Sequence, residues 1–319
     1  MLALLCGGQG LLSPGMFDLV AERPETAAIF AEAGAILGSD PRSLVHGGDH
    51  GSLHANHTGQ ILCVTAALAA HACIAEALPA EFAVSGYSVG EMAAWSIAGV
   101  WTAATTLRLT DRRARAMDAA GGPDGQLGYV RGLDRRTVER LSRRHDCAIA
   151  ITDPGKLFIV GGARVDVADL CREAEAAGAT RAALLDVRIA SHTPRLGEAV
   201  APFRRALEGA EAADPQPGRV LLAGGDGAPI FRSSASTAAL AARIAHPIDW
   251  AATLDALVEA GADTFLDLGP GHALADMARA AFPDVRSYAA TAFHGIDGLR
   301  GWVASKWRTR RSTTTVSPF

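Results

Sequence analysis

Aromatic side chains are scarce in this chain. They make up 6% of its 319 residues, against 49% that are hydrophobic. A core of this composition does not rest on a few large rings; alanine and 34 glycines favour helices packed closely on their neighbours. Excess charge is missing too. With 30 basic and 34 acidic residues the formal net charge is −4, which excludes a nucleic-acid partner recognised through bulk positive charge. The cysteines Cys6, Cys63, Cys73, Cys147 and Cys171 are odd in number and show no C-x-x-C spacing. Neither a disulfide scaffold nor a zinc or redox motif is expected, and the five read as small buried hydrophobes of a cytoplasmic protein. The apolar start Met1-Leu-Ala-Leu-Leu-Cys6 has no positive flank, so it reads as a buried strand and not as a signal peptide. Low-complexity tracts and internal repeats are absent, and the apolar content excludes intrinsic disorder.

One apolar run, Ile61 to Ala80, is long enough to raise a membrane span. It contains His71 and Glu76, lacks basic flanks and owes much of its apolarity to alanine, so a helix buried on all sides is expected and no membrane partner. Short β-like runs alternate with helical patterns. Strands are expected at Leu2–Cys6, Phe82–Gly86, Arg219–Ala223, Thr264–Leu268 and Ser287–Thr291. Helices are expected at Pro24–Leu37, Thr58–Leu78, Val89–Ala98, Ala103–Ala119, Thr193–Leu207, Trp250–Ala260 and Ala273–Ala281. This alternation predicts a mainly parallel sheet covered by helices. After the breaker Gly121-Gly-Pro-Asp-Gly125 the order becomes strand (Gln126–Gly132), helix (Arg135–Arg144), strand (Ala148–Thr152), strand (Leu157–Gly161), helix (Val165–Ala177) and strand (Arg181–Val187). That β-α-β-β-α-β order is the ferredoxin-like unit. The expected organisation is therefore α/β: a large domain of residues 1–122 and 191–319, with a ferredoxin-like α+β subdomain, residues 123–190, inserted into it. The tail from Lys306 to Phe319 is basic and then Ser/Thr-rich, and is expected to fray.

Gly86-Tyr-Ser88-Val-Gly90 follows an expected strand and opens an expected helix. Glycines there permit a sharp turn that exposes the serine, and the N–H of Val89 could face a developing oxyanion. A capped turn has the same spelling, so the pattern needs company. It has it in Cys6-Gly-Gly-Gln9-Gly10, the following Glu91, Arg113-Ala-Arg-Ala-Met117, Ser191-His192-Thr193-Pro194, His246-Pro-Ile-Asp-Trp250 and Asp267-Leu-Gly-Pro-Gly271. In that order these resemble the malonyl-CoA:acyl-carrier-protein transacylase family, whose usual forms are GQG, GHSxGE, RGxxM, FHSP, PVxW and GPG. The resemblance covers nearly the whole chain. Tyr87 and Val89, Met92-Ala-Ala-Trp95 and Asn56-His-Thr-Gly-Gln60 look most like the malonyl-CoA transferase (epsilon) subunit of malonate decarboxylase, and an α/β-hydrolase-like acyltransferase fold is implied.

What the resemblance implies is a ping-pong transfer. Ser88 would attack malonyl-CoA with His192 as base, and the malonyl ester would pass to the phosphopantetheine-type thiol of an acyl carrier protein. Gln9 and Val89 would form the oxyanion hole, and Arg113 would hold the free carboxylate. Malonyl-CoA is then a substrate; no permanent cofactor and no metal is expected. Each residue has a plainer alternative: His192 a core histidine, Arg113 part of a solvated run with Arg108, Arg112 and Arg115, Gln9 a turn cap, Gly269-Pro-Gly271 the shape of a helix start. Gln60 is open between pocket lining and helix packing.

The chain departs from the family pattern at three places. Arg243 replaces a glutamine whose carbonyl orients the histidine, and its side chain offers charge to CoA phosphates or the acyl carboxylate. Ala114 replaces a glycine. Ser191 stands where phenylalanine is usual and leaves room for an α-methyl group, so strict malonyl selectivity does not follow. His46, His50, His54, His57 and Asp49 share a segment without recognised ligand spacing. The basic stretches Arg135–Arg144 and Lys306–Arg311 read as solvated faces or as docking sites for an acidic carrier. Competing functions are a fatty-acid or polyketide (methyl)malonyl transacylase, a serine esterase or thioesterase using Asp186 with His192, and a non-catalytic docking subunit.

Overall fold

The computed structural model describes residues 1–48 and 50–308, with only the backbone for His50 and residues 306–308. Strand β1 (Leu2–Cys6) leads through helices α1 (Ala27–Leu37), α2 (Pro41–Gly47), α3 (His50–Leu53) and α4 (Asn56–Ile74) to β2 (Phe82–Gly86). Helices α5 (Gly90–Ile97) and α6 (Ala103–Gly121) follow, then β3 (Gly125–Arg131), α7 (Arg135–Arg144), β4 (Ala148–Asp153), β5 (Leu157–Ala163), α8 (Arg164–Ala176) and β6 (Arg181–Leu184). The chain returns through α9 (Gly197–Glu208), β7 (Arg219–Leu221), α10 (Ser233–Ala242), β8 (Ile248–Asp249) and α11 (Trp250–Glu259). It continues through β9 (Thr264–Asp267), α12 (Ala273–Ala281), β10 (Arg286–Ala289) and α13 (Ile296–Arg308).

The first sheet runs β10-β9-β1-β2-β7 and every neighbouring pair is parallel. Its β1 and β2 are buried at every position, as expected of central strands covered on both faces. Pairing of Leu2 with Phe82 through Cys6 with Gly86 ends the two strands level. The residues after β1 therefore emerge beside those after β2, and the Tyr87 N–H donates to the Cys6 carbonyl. Helix α4 has the length and apolarity of a membrane span, yet 78% of that window is buried inside the protein. It packs against α6 and α5.

The second sheet runs β6-β3-β5-β4-β8. Its first four strands are antiparallel neighbours, while β8, from the returning chain, adds parallel to β4. Side chains alternate between its two faces. Phe158 and Val160 join Val138, Leu141, Val167 and Leu170 beneath α7 and α8, whereas Leu127, Ile151 and Ile159 face the main core. The two sheets thus share a core on one side of the second. On α7 only Val138, Leu141 and Ser142 are buried, and Arg135 pairs with Glu139 at the surface, so most of this basic helix faces solvent.

Several bounds differ from expectation. The helix expected from Thr193 starts only at Gly197, after a 3₁₀ turn over Pro194–Leu196. β7 stops at Leu221 and β6 at Leu184. Helices α2, α3, α10 and α13 and strand β8 have no expected counterpart, although the Asp40 carboxylate caps α2 by accepting the Arg42 N–H. Of the tail beginning at Lys306, the stretch from 309 onward lies outside the described residues, as does Asp49.

The elbow explains its own glycines. A Cβ on Gly90 would lie 2.1 Å from the Cys6 carbonyl oxygen, and one on Gly86 would lie 2.2 Å from the Gly90 carbonyl carbon. Such contacts force the backbone to move. Gly90→Ala is expected to destabilise the protein by about 3 kcal/mol or more. Chemical denaturation checks this, and a loss below about 1 kcal/mol would contradict the packing.

Candidate active site

Ser88 sits between β2 and α5 with φ of +54°, a left-handed conformation costly for any residue but glycine. Ser88 Oγ lies 2.8 Å from His192 Nε2. His192 is also left-handed, at φ +63°, and is held from its other side. Its Nδ1 lies 2.6 Å from the Arg243 carbonyl oxygen, and its backbone N–H donates to the Ile244 carbonyl at 2.7 Å. A carbonyl only accepts, so Nδ1 carries the proton and Nε2 presents a lone pair to the serine hydroxyl. Burial, aided by the charges of Arg113 and Arg243, pushes the His192 pKa down to about 3. The imidazole is therefore neutral at ordinary pH, the form that a base needs.

Gln9 and Val89 lie in the turns after β1 and β2, and neither N–H is taken up in the described backbone hydrogen bonds. The Gln9 side chain donates to the Asn56 carbonyl, which ties the first turn to α4. Arg113, on α6, is buried, and burial lowers its pKa to about 10. It stays charged at neutral pH. Its Nη1 donates to Gln60 Oε1 at 2.5 Å. Gln60 Nε2 in turn donates to Asn56 Oδ1 at 2.7 Å and contacts Met117 Sδ at 3.3 Å. Gln60, which the sequence left undecided, is thus the partner of the buried arginine, and Met117 four residues on supports that glutamine.

A cavity of about 280 Å³ opens on Ser88 and His192. Gln9, Tyr87 and Ser191 line it together with apolar groups of the second sheet, including Ile151 and Ile159, and of α12, including Leu274. Gln60 and Arg113 are not among its lining residues, although the Arg113 charge acts on His192. Tyr87 packs edge-on against Trp250, with ring centroids 5.4 Å apart, and its hydroxyl donates to Asp153 Oδ2 at 3.2 Å. Burial pushes the Asp153 carboxyl up to about 7. Asp153 and the exposed Arg131 also line the cavity; the sequence singled out neither, since each ends a strand with no motif around it. A larger cavity, about 930 Å³, lies beside the N-terminal ends of β1 and β2 and contains none of these residues.

Two expectations change. The Arg243 side chain is not turned to the cavity: its guanidinium pairs with buried Glu91 at 2.5 Å, because a buried carboxylate needs a cation close by. The Asp186–His192 pair that a hydrolase would require is not formed, since Nδ1 is held by the Arg243 carbonyl. Gly269-Pro-Gly271 belongs to a turn held by Asp267, which accepts N–H bonds from Gly269, Leu274 and Ala275. In the histidine-rich segment His57 pairs with Asp111 and His46 faces Asp18. No cluster of three metal-ligating side chains occurs among the described residues.

Because a group whose pKa is depressed stays neutral below its ordinary value, Ser88 should keep its reactivity on acidification. Labelling by a fluorophosphonate is expected to change less than about threefold from pH 7 to pH 5. A tenfold fall centred near pH 6.5 would show an ordinary, solvated histidine. His192→Ala is expected to slow labelling by about 10³ or more.

No family model matches the chain. It is 26% identical over 296 residues to the malonyl CoA-acyl carrier protein transacylase of Haemophilus influenzae, across 89% of this chain and 93% of that protein. The crystal structure of MCAT from Mycobacterium tuberculosis superposes with a TM-score of 0.85 at 26% identity, covering 94% and 99% of the two chains. A malonyl-transacylase solved in complex with its type II PKS acyl-carrier protein superposes with a TM-score of 0.83 at 26% identity, covering 91% of this chain and 95% of that one. The ordered motifs, the α/β fold and these full-length likenesses together strongly support the malonyl-CoA:acyl carrier protein transacylase family as that of this chain.

Proposed function

We propose that the protein is an acyltransferase that moves a malonyl group from malonyl-CoA to the phosphopantetheine-type thiol of an acyl carrier protein. The observation that carries this is a serine at a strained turn, hydrogen-bonded to a neutral histidine, with a buried arginine close enough for its charge to act on that histidine. In the first step His192 Nε2 takes the Ser88 proton as Oγ bonds to the thioester carbonyl. The Gln9 and Val89 N–H groups face the oxyanion; the C–S bond then breaks, and the proton goes to the departing CoA sulfur. In the second step the carrier thiol gives its proton to His192 and attacks the malonyl ester. The proton returns to Ser88 as the ester C–O bond breaks.

Arg113, held by Gln60, binds the free carboxylate of the acyl group. Ser191 beside His192 leaves space at the α-carbon, so a methylmalonyl group fits this reading as well. The four-stranded unit of residues 123–190 acts as a ferredoxin-like insert that walls the channel, with residues 1–122 and 191–319 as the large domain. Tyr87, with Asp153 behind it, shapes the same wall. Within this chemistry we favour a malonate decarboxylase subunit over a fatty-acid or polyketide transacylase on the spelling Tyr87 and Val89, in a cytoplasmic protein.

Mass spectrometry of the protein with malonyl-CoA should find one malonyl adduct, on Ser88, absent from Ser88→Ala; a protein that binds CoA and never acylates contradicts the reading. Arg113→Ala is expected to lower acylation by malonyl-CoA about 10²-fold while leaving acetyl-CoA within a few-fold. Equal losses for both donors would deny the carboxylate role. Transfer assays against a malonate decarboxylase carrier and a fatty-acid carrier separate the two pathways.

A further inference from the structure

Acyl transfer at Ser88 uses the backbone carbonyl of Arg243 but leaves its guanidinium, and Glu91, without a role. Glu91 lies three residues after Ser88 in the first turn of α5 and is 2% exposed. A carboxylate so placed loses its hydration and needs close compensation. Arg243 Nη1 supplies it at 2.5 Å, and the Gly224 N–H donates to the same oxygen at 3.1 Å. Burial still raises the Glu91 pKa, with Arg243 and Gly224 opposing. The arginine side chain runs across Gly225, where any Cβ would lie 2.4 Å from its Nε. Asp226, 3.9 Å from Nη2, is largely exposed and adds little.

Arg243 is therefore anchored at both ends. Its side chain is tied to the helix that presents the nucleophile. Its carbonyl and that of Ile244 receive the ring and backbone N–H groups of His192. We propose that the Glu91–Arg243 pair is a brace that registers the base against the nucleophile, clamping the 243–244 carbonyls to the elbow helix so that His192 Nε2 faces Ser88 Oγ. Glu91 and the Arg243 side chain are positioning groups and touch no substrate. The inference rests on the acyl-transfer reading only through the Ser88–His192 dyad.

The brace has a second consequence, through charge. The charged groups around His192 are Arg113 from α6 and Arg243 after α10, both of which disfavour the imidazolium. Glu91 from α5 pairs with Arg243, and Asp153 from β4, Asp267 from β9 and the exposed Arg131 at the end of β3 line the shared cavity. Removing the Arg243 charge therefore eases protonation of His192 and moves the acid limb of Ser88 reactivity to higher pH. A merely structural support would leave that limb in place.

The test compares Glu91→Gln, Arg243→Gln and the double variant E91Q/R243Q with the unaltered protein in two assays. One is acylation by malonyl-CoA; the other is Ser88 labelling by a fluorophosphonate, which needs the dyad but neither CoA nor a carboxylate site. Each single variant leaves one charge buried without its partner and is expected to slow both reactions about 10- to 100-fold. The double variant buries two neutral amides and is expected to recover most of that loss. R243Q and the double variant should both show the acid limb at higher pH than the unaltered protein, and E91Q should not. Where a single variant fails to fold, the double variant decides: an acid limb unmoved from that of the unaltered protein overturns the proposal. Single variants that fold and label at unaltered rates overturn it too. Failure of all four proteins to take a malonyl group, with labelling behaving as described, refutes malonyl transfer and leaves the brace standing. An unaltered protein inert to both reagents overturns the dyad and the brace with it.

Discussion

One neutral histidine, held between a serine hydroxyl and two backbone carbonyls, is the constraint around which the site is built. A carbonyl at Nδ1 forces the proton onto that nitrogen and leaves Nε2 as an acceptor. A carboxylate in the same position would instead stabilise the imidazolium. Here neutrality comes from burial and from two nearby cations, Arg113 and Arg243. Burying cations is costly, and each has a specific answer: Gln60 for Arg113, Glu91 for Arg243. The polar side chains beneath the dyad follow from the decision to bury the base.

The two sheets divide the labour of placing these groups. In the parallel sheet β1 and β2 end level, so the turn after one supplies Gln9 beside the Ser88 elbow of the other. This is where open α/β sheets gather their functional loops. The second sheet contributes side chains from one face only. Its other face is closed by α7 and α8, and the free face makes an apolar wall opposite the serine. A small side chain before the histidine, a tyrosine before the serine and an acidic residue at the end of β4 give that wall its few polar marks.

Much of this was legible in the chain because it rests on short-range rules. Alternating strands and helices announce a parallel sheet, the breaker near Gly121 announces a change of pattern, and G-x-S-x-G between strand and helix announces an elbow. Bounds were least legible where local signals conflict, as at Thr193-Pro194, where proline starts a tight turn before the helix proper. Gln60 was ambiguous because a glutamine in an apolar helix looks alike whether it faces a neighbour helix or a buried cation. The direction of the Arg243 side chain is not legible for a related reason: its partner Glu91 lies 152 residues away in the chain, and no local pattern links them.

By itself, the sequence determined the order of most elements, the residues that form the elbow and the likeness of its motifs to a transacylase family. These depend on backbone propensity, on where glycine is unavoidable and on residue identity, all readable one segment at a time. Only the tertiary structure decided which groups are partners. It set the Ser88–His192 contact across 104 residues and the carbonyl that orients the base. It also buried Arg113 against Gln60 and turned Arg243 toward Glu91. Those outcomes depend on distance and burial, which set the strength of a charge or hydrogen bond and belong to the folded chain alone.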